Sequence, residues 1–148
     1  MAFVLIVDAS QTYANRASDV LNAVGHACGW VTTAEQAIAL LRWRVPDVIL
    51  LDQSIPGADG GTLPQQLRRI AGVAGLPIIL LTTESAAAAL GEGSNAVLDD
   101  IRKPFDPGYL SWKVDHALAA HGKRALAERE EPLVVGNAEA RPRLRSLA

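Results

Sequence analysis

Two aspartates, a threonine and a lysine carry most of the chemistry this sequence offers: Asp8, Asp52, Thr82 and Lys103. Each stands at the end of an expected strand. Asp8 follows Val4-Leu5-Ile6-Val7, Asp52 follows Val48-Ile49-Leu50-Leu51, Thr82 follows Ile78-Ile79-Leu80-Leu81, and Lys103 follows a run through Ile101. In an open α/β sheet the carboxyl ends of parallel strands share one edge, and ligands bind in the crevice outside it. Two carboxylates, an ammonium and a hydroxyl would then meet as a short-range electrostatic set. Taken singly, each has an ordinary reading: Asp8 as a helix-capping acid, Asp52 as a solvated strand terminator, Thr82 as a strand threonine, Lys103 as a surface ammonium. Four such residues in register favour a site.

The elements that must position them follow from apolar spacing. Val48–Leu51, bounded by Pro46 and by Pro56-Gly57, reads as a strand buried on both faces, the central strand of a parallel sheet. Ahead of it come a first strand, a helix capped by Ser10 with Ala14, Ala17, Leu21 and Val24 at helical spacing, and Gly25 to end it. Ala27–Val31 is a weaker strand interrupted by Gly29, expected at a sheet edge. Thr33-Ala34-Glu35-Gln36 is a capping box for a second helix, and Thr62-Leu63-Pro64-Gln65 a similar start for a third, closed by Gly72 and Gly75. A short fourth helix is expected over Ser85–Leu90, a fifth strand over Ala96–Ile101, and a last helix beginning at Asp106-Pro107. Five strands alternating with five helices call for a parallel sheet covered on both faces.

Composition narrows the function. The 148 residues, 49% hydrophobic and 20% charged, suit one soluble domain. No apolar run approaches the ~20 residues that cross a bilayer, and the apolar N-terminus lacks the basic leader of a signal sequence. The lone Cys28 supports no internal disulfide and no cysteine-based metal site. The expected compartment is the cytoplasm. Residues 1–120 carry 8 Lys/Arg against 12 Asp/Glu, so the body is acidic, whereas residues 121–148 carry 6 against 4. A nucleic-acid footprint is missing from the body. His26, His116 and His121 have no metal-ligand spacing and are expected in surface or capping roles. Trp30, Trp43 and Trp112 are too dispersed for a stacking platform and are expected at helix–sheet contacts or partner surfaces. Asp8-Ala9-Ser10-Gln11 lacks the glycines of a nucleotide loop, which argues against a Rossmann or P-loop enzyme.

The motifs Val4-Leu5-Ile6-Val7-Asp8, Asp47–Asp52 with Pro56-Gly57-Ala58-Asp59-Gly60, Pro77–Thr82 and Lys103-Pro104-Phe105 together resemble the receiver domain of bacterial two-component response regulators. The resemblance implies a flavodoxin-like (βα)5 doubly wound parallel sheet of strand order 2-1-3-4-5. It places the receiver over residues 1–121, leaving 122–148 as a helical extension and flexible tail in which Pro132, Gly136 and Pro142 break further helix. It also implies a mechanism rather than an enzyme with its own substrate. Asp52 would take a phosphoryl group from a histidine kinase or phosphotransfer protein. Mg²⁺ would be held by Asp8, Asp52 and the Ser54 backbone carbonyl. Lys103 would pair with the phosphoryl oxygens, and the Thr82 hydroxyl would bind one of them and carry the event to a protein target. No direct contact with nucleic acid or membrane is expected, and the chain would be a monomer or weak homodimer.

Three positions depart from the family. Ala9 stands where a second acid usually follows Asp8, which predicts weaker Mg²⁺ binding and slower phosphorylation. Thr83 replaces the usual Ala or Gly, and 97–102 contains no aromatic before Lys103. The alternative reading is a degenerate pseudo-receiver, a binding module that works without phosphorylation.

Overall fold

Alternation explains the sheet. Within each of the apolar runs successive side chains point to opposite faces, so a strand with no polar alternation must be covered twice. The computed structural model describes residues 2–57, 62–73, 75–83 and 99–135, with side chains to residue 121. Its strands are β1 (Phe3–Val7), β2 (Ala27–Val31), β3 (Val48–Asp52), β4 (Ile78–Thr82) and β5 (Asp99–Arg102). They form one sheet in the order β2-β1-β3-β4-β5, every neighbouring pair parallel. The helices are α1 (Gln11–Ala23), α2 (Ala34–Leu41), α3 (Leu63–Ala71) and α4 (Pro107–Val135).

One face of the sheet buries Val4, Ile6, Leu50 and Leu81 against Ala17 and Leu21 of α1 and Leu110 and Val114 of α4. The other buries Leu5, Ile49 and Leu80 against Ala37 and Leu41 of α2 and Leu67 of α3. Each fully buried Leu or Ile contributes roughly 1.5–3 kcal/mol relative to an exposed one, so the two layers hold the sheet edge rigid where the site lies.

Local details refine the expectations. β2 is the edge strand, but it runs unbroken through Gly29. A Cβ there would stand 3.3 Å from the Phe3 ring, so the glycine makes room for an aromatic rather than interrupting the strand. Thr33 caps α2 by accepting from the Gln36 N–H at 3.1 Å, while the Gln36 carboxamide accepts from Thr32 N–H at 2.9 Å. Thr62 makes no such side-chain bond at α3. Pro64 occupies the second helical position and has no N–H, which removes one of the two donors a cap hydroxyl can take. Gly72, at φ +72°, closes that helix. Asp106 accepts from Tyr109 N–H at 2.9 Å to start α4. That helix continues through Pro132 to Val135, farther than a break at Pro132 allows.

The expected helix over 85–90 and the first residues of the expected 96–101 strand lie outside the described residues. Trp30 packs on the core, whereas Trp43 is 90% exposed and Trp112 lies exposed on α4. Among the described residues no helix is long and apolar enough to cross a membrane.

Candidate functional site at the strand ends

The ladder carries the polar residues to one rim. In register Val7 pairs with Leu51 and Asp52 with Leu81. Backbone bonds continue past the strands: Asp8 N–H to Val31 carbonyl at 3.1 Å, Gln53 N–H to Leu81 carbonyl at 3.0 Å, and Lys103 N–H to Thr82 carbonyl at 2.7 Å. Asp8, Asp52, Thr82 and Lys103 are thereby fixed by main chain before any side-chain contact forms.

The side chains then meet. The Lys103 ammonium lies 2.8 Å from Asp8 Oδ2 and 3.7 Å from Asp52 Oδ2. Asp8 is fully buried, Asp52 and Thr82 nearly so, and the Lys103 side chain is 8% exposed. Charges this dry are held only when paired and hydrogen-bonded. Asp52 Oδ1 accepts from Ser54 N–H at 3.0 Å and Oδ2 from Ala9 N–H at 3.2 Å. Asp8 Oδ1 accepts from Ser10 N–H at 2.8 Å. Asp8 Oδ2 is sealed from solvent and accepts no hydrogen bond of good angle, so the ammonium beside it is its counter-charge.

The two acids titrate apart. Burial raises the Asp8 carboxyl above its usual range, Lys103 and Ser10 only partly opposing it, and the neighbouring Asp52 adds to the rise. Burial acts on Asp52 in the same sense. There the Ser54 N–H, the Asp8 side chain, the Lys103 charge and the Ala9 N–H outweigh it and hold the carboxyl below the usual range. Of the two acids, Asp52 is the one whose surroundings favour the ionised form.

Two carboxylates are hard oxygen donors, and Asp8 Oδ2 is a buried oxygen with hydrogen-bonding capacity to spare. That set fits Mg²⁺, which commonly takes one or two carboxylates and fills its shell with water and phosphate oxygens. Among the described residues no three His, Cys, Asp or Glu side chains gather in one place. At this rim the acids are two, and Ala9 follows Asp8 with no carboxylate. A cleft of about 280 Å³ opens between Ala9, Thr33, Glu35, Ser54, Ile55 and Pro56, so its wall includes the two residues whose amides bind Asp52. Thr83 is exposed at the same edge.

Sequence reasoning missed three contributors. The amides of Ala9 and Ser54 leave no mark in residue type, because any non-proline residue supplies an N–H. Tyr13 was identifiable in principle: it stands three residues after the Ser10 cap, on the first turn of α1. Its ring centroid is 4.6 Å from the Lys103 ammonium. The histidines form no site. His26 accepts from Ala2 N–H at 3.3 Å and meets Asp115 at 2.9 Å, and His116 stacks on Trp112 at 5.2 Å.

Known proteins share this frame. The phosphate regulon transcriptional regulatory protein PhoB of Pseudomonas aeruginosa is 32% identical over 134 residues, which are 90% of this chain and 57% of that protein. Protein PilH of the same organism is 31% identical over 120 residues, 80% of this chain and 99% of that one. The chain thus spans little more than half of PhoB and nearly all of PilH. A putative response regulator from Chloroflexus aurantiacus J-10-fl superposes with a TM-score of 0.71 at 32% identity, over 80% of this chain and 98% of that one. Chemotaxis protein CheY4 of Vibrio cholerae gives 0.69 at 27% identity, over 79% and 98%. The family model described as the response regulator receiver domain matches residues 4–115, and with the sheet order and the relatives it establishes that this chain belongs to the response regulator receiver domains.

Proposed function

We propose that this receiver accepts a phosphoryl group on Asp52 from a sensor histidine kinase or phosphotransfer protein and signals by protein–protein contact. The observation that carries this is the Asp52 carboxylate, held by the backbone amides of Ser54 at 3.0 Å and Ala9 at 3.2 Å and lying 3.7 Å from the Lys103 ammonium. An Asp52 oxygen attacks phosphorus, a P–O bond forms as the P–N bond breaks, and the departing imidazole takes its proton from water. Asp8, Asp52 and the Ser54 carbonyl would hold Mg²⁺, which when bound would supply positive charge for the phosphoryl oxygens. Lys103, which stands 2.8 Å from Asp8 and 3.7 Å from Asp52, turns to those oxygens, and the Thr82 hydroxyl donates to one of them. The receiver proper spans 1–121, with 122–148 as an appendage. It works in the cytoplasm as a monomer or weak homodimer, without direct contact to membrane or nucleic acid. The acidic body supports that last point, although PhoB is named a transcriptional regulator.

The test is incubation with Mg²⁺ and acetyl phosphate, read by intact mass. One hydroxylamine-sensitive phosphate is expected on the wild type and none on Asp52→Asn. Folded wild type that gains no mass overturns the reading.

Ala9 supports a second reading, a pseudo-receiver that works as a binding module without phosphorylation. Calorimetric titration of Mg²⁺ against wild type and Ala9→Asp separates the two. An added carboxylate is expected to tighten binding by about tenfold, since ligand charge sets affinity at such sites. Near-absent binding by wild type, restored in the variant, favours the pseudo-receiver; equal binding by both removes its main support.

A further inference from the structure

Lys103 has a neighbour besides its two carboxylates. The Tyr13 ring lies with its centroid 4.6 Å from the ammonium, inside the ~6 Å at which a cation is drawn to an aromatic face. Its place is set by the site itself: Tyr13 N–H donates to Ser10 Oγ at 3.3 Å, and Ser10 N–H donates to Asp8 at 2.8 Å. The ring is also held against Phe105, two residues after Lys103, at 5.8 Å between centroids and a 54° tilt. The Arg16 guanidinium stands 5.9 Å from its centroid. Both the strand-end acid and the segment carrying the lysine therefore fix the ring. Attraction of this kind is worth most where water is excluded, and the Lys103 side chain is 8% exposed.

We propose that Tyr13 is a positioning residue whose ring face holds the Lys103 ammonium over the Asp8–Asp52 pair, ready for the phosphoryl group. Its consequence for phosphorylation rests on the function proposed above; the positioning itself does not. Ala9 offers no carboxylate, and the 97–102 stretch no aromatic. The Tyr13 ring attracts the ammonium without adding a charge that would oppose ionisation of Asp52. Nor does it form a hydrogen bond that must break when the ammonium turns to a phosphoryl oxygen. The hydroxyl has no part in this, so phenylalanine suffices and leucine does not.

The test compares wild type with Tyr13→Phe, Tyr13→Leu and a chain carrying pentafluorophenylalanine at position 13, which keeps the ring's shape and loses its negative face. Without any phosphodonor, the Lys103 ε-methylene protons are expected upfield of free lysine in wild type and Tyr13→Phe by NMR, and at the free position in Tyr13→Leu. With acetyl phosphate and Mg²⁺, Tyr13→Phe is expected within about twofold of wild type, while the leucine and fluorinated proteins are slower by about tenfold. An unshifted Lys103 in wild type overturns the proposal, and so do leucine and fluorinated variants as fast as wild type. If no protein in the series takes phosphate but the Lys103 shift follows the ring, the positioning stands and the phosphoacceptor function fails.

Discussion

β5 is bracketed by two groups that each join an aspartate, a lysine and a tyrosine ring. At its end Lys103 meets Asp8 and the Tyr13 ring; at its start Asp99 binds Lys113 of α4, whose ammonium lies 5.4 Å from the Tyr109 ring centroid. Their surroundings differ. Asp8 is fully buried and shares its lysine with a second acid, whereas the Asp99 side chain is 35% exposed and has Lys113 to itself. The first group is a desolvated triad with more negative than positive charge. The second fastens a helix to a sheet edge near solvent, where water competes with the pair. The same residue types thus give a buried charge cluster at one end of a strand and a structural tie at the other, and burial and the second acid make the difference.

Lys103→Met should show the largest effect. It strands two buried acids without a cation, and breaking such a pair costs about 3 kcal/mol. Urea unfolding at neutral pH would read the loss. The deficit should shrink on acidification: Asp8, already raised above 3.8, is raised further without its lysine, so the folded variant binds a proton that the unfolded chain releases. The destabilisation is then complete above the folded pKa and fades as pH falls toward 3.8. A variant as stable as wild type at neutral pH would erase the contrast between the two groups.

Asp99→Asn should cost less than about 1 kcal/mol in the same titration, because the Asp99 side chain is 35% exposed and water screens the pair. A loss matching that of Lys103→Met would mean that exposure does not separate the pairs.

The smallest effect is alkaline. Burial alone would lower the Lys113 pKa, but Asp99 and Tyr109 outweigh it and raise the group above 10.5. Its contribution is therefore full below 10.5 and lost as pH rises through the higher folded value. The urea midpoint of wild type should fall more steeply in that range than that of Asp99→Asn. Parallel curves would show that Asp99 is not the cause.

Fold and rim were legible to different degrees. Uninterrupted apolar runs such as Val48–Leu51 demand cover on both faces, and alternation with helices leaves few topologies, so the parallel sheet could be read directly. The α3 cap could not: the Thr62-x-x-Gln65 pattern is present, but Pro64 within it removes a donor. Gly29 read as a breaker because its neighbour Phe3 lies on another strand. The helix starts at Ser10 and Asp106 were readable because the capping residue and the N–H it binds lie within three positions of each other.

Sequence alone determined which residues end the strands, because local apolar patterning dictates where each strand stops and a polar side chain can begin. Their convergence followed once parallel order was granted. Only the tertiary structure decided how the charge is shared: that Lys103 stands closer to Asp8 than to Asp52, that amides of Ala9 and Ser54 bind Asp52, and that the Tyr13 ring faces the same ammonium. These depend on distances of a few ångströms between elements far apart in the chain and on the exclusion of water between them, and neither quantity is written in residue order.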